Sequence, residues 1–132
     1  MANTNVPMFA VTIKTAAAKL TTTGNTNVDG STGTYTALFT AGSQGARVER
    51  IVINNNANVA DKVSIWLQGK LVGDYLMAAT GTLSATVGAV NKSIDCSQPG
   101  NTIIMAASDV MKASLYTGTS TSIDVTVFYE EF

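Results

Sequence analysis

Hydrophobic positions along this chain come in short runs, mostly alternating with polar ones and separated by Gly, Asn, Thr and Ser. A period of two is the mark of a strand with one buried face. Residues 35–54 show it best. A first run ends in a small-residue turn around Gly42 and Gly45, and a second leads into an asparagine-rich loop. Arg47, Val48 and Glu49 alternate as a strand with one wet face, and residues 50–53 read as its more buried continuation. Residues 34–39 and 47–54 are read as an opening pair of strands.

The same reading extends in both directions. Residues 9–14 form a first strand, and residues 15–20 fit either a helical turn through Ala16–Ala18 or extended chain. Residues 21–33 make a long polar loop, either an exposed tip or a segment ordered by a partner. Residues 62–67 and 70–77 flank Gln68-Gly69, a connection short enough for an antiparallel hairpin. Val63, Ile65 and Leu67 then point inward, which leaves Ser64, Trp66 and Gln68 on the other face. Residues 91–95, 102–106, 110–116 and 122–129 complete the pattern, with Pro99-Gly100 as a turn signal. The predicted fold is all-β: an antiparallel β-sandwich, jelly-roll-like, of about eight strands. Residues 1–8, interrupted by Pro7, form an N-terminal arm, and residues 9–132 form one sandwich domain.

Composition narrows the function classes. Only 13% of the 132 residues are charged, and polarity comes from Thr, Ser and Asn. That suits a surface covered by neighbouring subunits, where charges are costly to bury. A formal net charge of −1 with scattered basic residues argues against direct nucleic-acid binding. No apolar run reaches the roughly 20 residues that span a bilayer, so no membrane role is expected. The N-terminus lacks the basic region of a secretory signal, which points to synthesis in a cytoplasm. Cys96 is alone, so the chain cannot form an internal disulfide.

Candidate chemistry is sparse. Without histidine, neither a Ser-His-Asp nor a Cys-His arrangement can be assembled. Asp74, Asp95, Asp109 and Asp124 fall near predicted strand ends or turns, where aspartates commonly bond local amides. Asn25, Asn27 and Asp29 have the alternate spacing of a calcium loop, yet a structural polar loop is the preferred reading. Trp66, Tyr75, Tyr116 and Tyr129 could form a sugar platform only if the fold brought them together; core or interface packing is the preferred reading. No cofactor, metal or catalytic residue is assigned. Interface candidates are Met8 and Phe9 at the end of the arm, Arg47 and Arg50, the outward-facing Trp66, and Phe132.

The segments Leu38-Phe39-Thr40-Ala41-Gly42 and Gly45-Ala46-Arg47-Val48-Glu49-Arg50-Ile51 carry a family resemblance. Ile65-Trp66-Leu67, the Pro99-Gly100 turn leading to residues 103–107, and residues 123–129 extend it. In these the chain resembles the small β-rich virion structural proteins of tailed bacteriophages. The resemblance implies a non-enzymatic virion component present in many copies. Its first form is a capsid decoration or cement subunit, a homo-oligomer (a trimer) that joins major capsid protein subunits. Other forms are a tail, collar or fibre-associated subunit. A carbohydrate-binding module is the alternative outside the virion classes.

Overall fold

The computed structural model describes residues 12–20, 24–27, 29–81, 83–98, 100–117 and 123–132. The arm, with Met8 and Phe9, and Pro99 lie outside the described residues. Nine strands are described: β1 (Ile13–Leu20), β2 (Thr36–Thr40), β3 (Ala46–Asn55), β4 (Asp61–Leu67), β5 (Lys70–Met77), β6 (Val90–Asp95), β7 (Ile103–Met105), β8 (Val110–Leu115) and β9 (Ile123–Glu131). Extended chain therefore takes the whole of β1, and no helical turn forms at Ala16–Ala18.

Two antiparallel sheets face each other. One has the order β1-β9-β3, with β6 and β7 in succession along the far side of β3; the other is β2-β8-β4-β5. With β6 and β7 taken as one interrupted strand, the chain is a single long ribbon. In it β4 pairs with β5, β3 with β6 and β7, β2 with β8, and β1 with β9. Rolling that ribbon adds the β3–β9 and β4–β8 pairings and closes a jelly roll.

β2 and β3, consecutive in sequence, do not pair with each other. They lie in opposite sheets, and the loop around Gly42 and Gly45 carries the chain across. Each finds its partners near the far end of the sequence, which no local turn signal announces.

The core is made by alternation. Val48, Ile51, Ile53, Ile123, Val125 and Val127 from the first sheet meet Phe39, Val63, Ile65, Met77, Met111 and Leu115 from the second, all buried. Each such side chain is worth about 1.5–3 kcal/mol relative to exposure. Tyr129 closes the core near one end, its ring stacked on Phe39 with centroids 4.0 Å apart.

The alternation of β3 is corrected by a bulge. Val48 pairs with Tyr129 and Arg50 with Phe128, so Glu49 is an extra residue opposite no partner on β9. Its carbonyl accepts a hydrogen bond from the Cys96 amide at 2.9 Å. Residues 50–53 are thus not a more buried continuation. Val52 is half-buried on the outer face, while Ile51 and Ile53 point in. A second bulge, at Leu38 in β2, lets the adjacent Leu38 and Phe39 both be buried.

The β4–β5 hairpin forms as the sequence predicts. Gln68 and Gly69 both adopt positive φ, 50° and 72°, as a two-residue hairpin turn requires. The described part of the long polar loop is largely exposed, with Asn25 and Gly30 buried. It folds back over this hairpin: a Cβ added at Gly30 would lie 2.4 Å from the Gly69 carbonyl oxygen, so only glycine permits the approach.

Candidate interaction surfaces

A jelly roll of this size offers two outer faces, four sheet edges and the loops at either end. Side chains are placed on the outer faces by the same register that fills the core. On the first sheet one row runs Ile13, Glu130, Arg47 and Ile104, and the next runs Thr15, Phe128, Arg50 and Asp95. The Glu49 bulge is what brings Arg47 and Arg50, three residues apart, to the same face.

The two arginines have different surroundings. The Arg47 guanidinium lies 2.7 Å from a Glu49 carboxylate oxygen and 3.1 Å from one of Glu130. These acids, Glu49 foremost, hold its pKa above the ordinary value. Arg50 is exposed and forms no ion pair within 4 Å among the described residues. It borders an open hollow of about 400 Å³ whose apolar lining includes Ile13, Val52 and Phe128. Asp95 at its rim is held below the usual carboxylate range, chiefly by the Ser97 hydroxyl at 2.6 Å and the Ser97 amide at 2.9 Å, with Arg50 a small contribution.

Phe132 is 59% exposed, its amide bonded to the Gly45 carbonyl at 3.2 Å. Neighbouring Glu131 takes a 2.5 Å ion pair from Lys14, whose pKa rises as a result.

Trp66 is the main correction among the interface candidates. Parity places it on the outer face of the second sheet, as expected, but it is only 3% exposed. Its indole Nε1–H donates to the Ser114 hydroxyl at 2.9 Å, and the Tyr35 ring meets it edge-on at 6.0 Å. The chain itself buries the tryptophan, with Tyr35 against its ring, so it is not available for a subunit contact in this arrangement.

The other aromatics do not assemble around it. Tyr75 and Tyr129 turn inward and pack on the core. Burial raises the Tyr75 pKa. Tyr116 is exposed on the face of Trp66, but it lies beside Lys62 at the far end of β4, with the ammonium 4.3 Å from its ring centroid. The four rings form no shared platform.

The acidic residues serve the frame. Asp29 accepts the Thr32 hydroxyl and the amides of Thr32 and Ser31, and these bonds, the hydroxyl's foremost, lower its pKa to about 2. Asn25 bridges the Thr34 carbonyl and the Asn27 amide, and Asn27 donates to the Thr32 carbonyl. The loop's oxygens thus close the loop on itself. Asp109 accepts the Ala106 amide and the Gln68 side chain, joining two turns. Asp74 is met by Ser64 and Lys62, and Asp124 by Lys19 and Asn56. Cys96 is buried, and burial raises its thiol pKa.

Sequence reasoning missed the surface beside β5. Leu76 is 76% exposed and Tyr116 is 40% exposed, together with Ala60 and Ala78 around a hollow of about 620 Å³. The signal was present in the run Leu71-Val72-Gly73-Asp74-Tyr75-Leu76-Met77, which carries more apolar residues than one inward face can hold.

No family model matches the chain, and no curated protein matches it. Among solved structures, it is similar to a chain of the infectious bursal disease virus Gt strain, at 13% identity over 94% of this chain and 38% of that one, with a TM-score of 0.23. A chain of the VP2 subviral particle of the same virus shares 14% identity over 89% of this chain and 37% of its own length, also at a TM-score of 0.23. The chain spans little more than a third of the length of these neighbours. So slight a likeness does not define the fold; the jelly-roll assignment rests on the strand pairings alone.

Proposed function

We propose that this chain is a non-enzymatic structural subunit of a virus particle, acting as a capsid decoration or cement subunit of a tailed bacteriophage. The carrying observation is how side chains are allocated. The acidic and amide groups of the described loops are engaged in holding the sandwich together, while Ile13, Ile104, Leu71, Leu76, Tyr116 and Phe132 remain exposed around it. Such a molecule works by contact. It occurs as a trimer whose copies bind neighbouring major capsid subunits and bury surface that neither partner buries alone.

Contact burial contributes about 25 cal/mol per Å² before the losses of association, and repetition over a shell multiplies modest contacts. The sequence resemblance supports the phage assignment, and the jelly roll is an architecture used by capsid domains, as it is by lectins and cupins. No histidine is present for acid–base or nucleophilic relays, which supports the non-enzymatic reading. The sugar-binding alternative loses its main support with Trp66 covered and the tyrosines apart.

Cryo-electron microscopy of intact particles tests the proposal. Density for this chain spread over the capsid lattice is the expected result. Copies confined to a neck, tail or fibre would transfer the chain to the tail-associated class, and absence from purified particles would overturn the virion reading.

A further inference from the structure

We infer that the free edge of β5 is a self-association site, at which two copies pair antiparallel about a two-fold axis passing beside Leu76. This goes beyond the virion proposal and does not rest on it. A two-fold contact of this kind would link trimers where trimers exist.

The argument begins with the four edges. β1 carries Lys14 and Lys19, one on each side of the sheet, β6 ends at Asp95 and β7 begins only at Ile103, and β2 is five residues long and bulged. Charges, interruption and bulges are the usual means by which edges avoid pairing. β5 has eight residues, and its protection is confined to one half. Lys70 stands at its start, and Val72 is an unpaired bulge opposite β4. From Gly73 to Met77 the ladder to β4 is regular, and among the described residues no strand lies beside the alternate amides and carbonyls on the outer side. This half also presents Leu76, 76% exposed.

Charge selects the occupant and register. In a two-fold antiparallel pair with its axis normal to the sheet, one residue faces its own copy. If that residue were Asp74, two carboxylates would oppose each other, which destabilises a cross-strand pair. If it were Tyr75, each Asp74 would oppose a leucine. With Leu76 at the axis, leucine meets leucine on the outer face, Tyr75 meets Met77 on the inner face, and Asp74 meets Ala78. Asp74 keeps its own partners, the Ser64 hydroxyl at 2.8 Å and the Lys62 ammonium at 3.3 Å. The apolar hollow formed by Ala60, Ala78 and Tyr116 lies beside the axis and is covered on pairing. The product is one continuous eight-stranded sheet, from two copies of the four-stranded sheet.

Sedimentation equilibrium of the full chain, over a range of concentrations, provides the test. Wild type should show a reversible two-fold association step. Leu76→Glu should raise its Kd by at least about tenfold, because the substitution places two carboxylates at the axis. Leu76→Met should retain it, and Ile104→Glu, on the other sheet, should leave it unchanged. Leu76→Cys should form a disulfide-linked dimer under mild oxidation, with wild type, whose Cys96 is buried, as the control. Far-UV circular dichroism should be the same for all variants, since the side chain at 76 is exposed. The inference is overturned if wild type shows no association, if Leu76→Glu leaves association intact, or if Leu76→Cys fails to cross-link. Binding of an unrelated extended peptide by a chain that does not self-associate would also overturn it.

Discussion

Removing one residue from the middle of a central strand ordinarily exchanges its two faces, because the side-chain period is two. Deletion of Glu49 is expected to be an exception. Val48 and Arg50 already pair with the consecutive residues Tyr129 and Phe128, so the shortened strand keeps its partners on β9. Ala46, Val48, Ile51 and Ile53 keep their inward positions, and Arg47, Arg50 and Val52 keep their outward ones. The losses are the 2.9 Å bond from the Cys96 amide and the partly exposed ion pair with Arg47. The hydrogen bond is worth about 1 kcal/mol, and the ion pair, open to solvent at Arg47, adds little to it. Deleting Val52, three residues on, is the contrasting perturbation. There the remainder of β3 must shift by one, which turns Ile53 outward and Asn54 into the core. It also strips Asn55 of its side-chain bonds to Val59, Ala78 and Ala57. That change costs about 4–9 kcal/mol, comparable to the whole stability of a domain. Urea denaturation followed through Trp66, the single tryptophan, separates the two cases. Equal destabilisation by both deletions would refute the assignment of Glu49 as the surplus residue.

Three further outcomes follow from side chains that hold the frame. Trp66→Phe should cost about 1–2 kcal/mol, because the 5% exposed Ser114 loses its indole donor, and Trp66→Ala about 3–5; circular dichroism melts provide the measurement. Asn55→Ala should cost about 2–4 kcal/mol in chemical denaturation, since the fully buried amide joins three backbone groups, two in the turn that follows it (Ala57 and Val59) and one at Ala78. Asp29 has a folded pKa of about 2, below its ordinary value of 3.8, so its contribution is complete above about pH 4 and is lost as pH falls through 2. The difference in Tm between wild type and Asp29→Asn should therefore shrink between pH 4 and pH 2, and a carboxyl NMR titration should place its midpoint near 2.

The strands were legible where neighbours in sequence are neighbours in space. The β4–β5 hairpin, with Gln68-Gly69 at its tip, is local, and its turn chemistry is written in those two residues. Ile123, Val125 and Val127 likewise follow the period of two without interruption. What escaped is non-local. Nothing around Thr36–Thr40 reveals that its partner is Val110–Leu115, so the separation of β2 and β3 into different sheets is not written in the local sequence. The bulge at Glu49 shifts parity where the sequence reading took residues 50–53 as a more buried continuation, and the bulge at Leu38 had no sequence signal. Trp66 was placed on the correct face, but Tyr35, whose ring packs edge-on against it, lies far earlier in the sequence, and no local pattern announces that contact. Leu76 was overlooked for the opposite reason, because apolar residues in a strand are read as core by default.

Charge placement sharpens what kind of contact the outer faces can make. Lys14 pairs with Glu131, Lys19 with Asp124, Arg47 with Glu49 and Glu130, and Lys62 with Asp74. All these pairs lie within the chain, so half of its eight basic residues are already matched before a partner arrives. A partner approaching these faces meets little net field to steer it, and the near-zero formal charge points the same way. Recognition on them must depend on shape and apolar area, with Arg50 beside its hollow as the conspicuous unmatched cation. Such contacts form slowly compared with electrostatically steered ones but respond weakly to salt. For a subunit added to an assembled surface, that combination makes occupancy depend on complementarity and on the number of contacts made at once, rather than on ionic conditions.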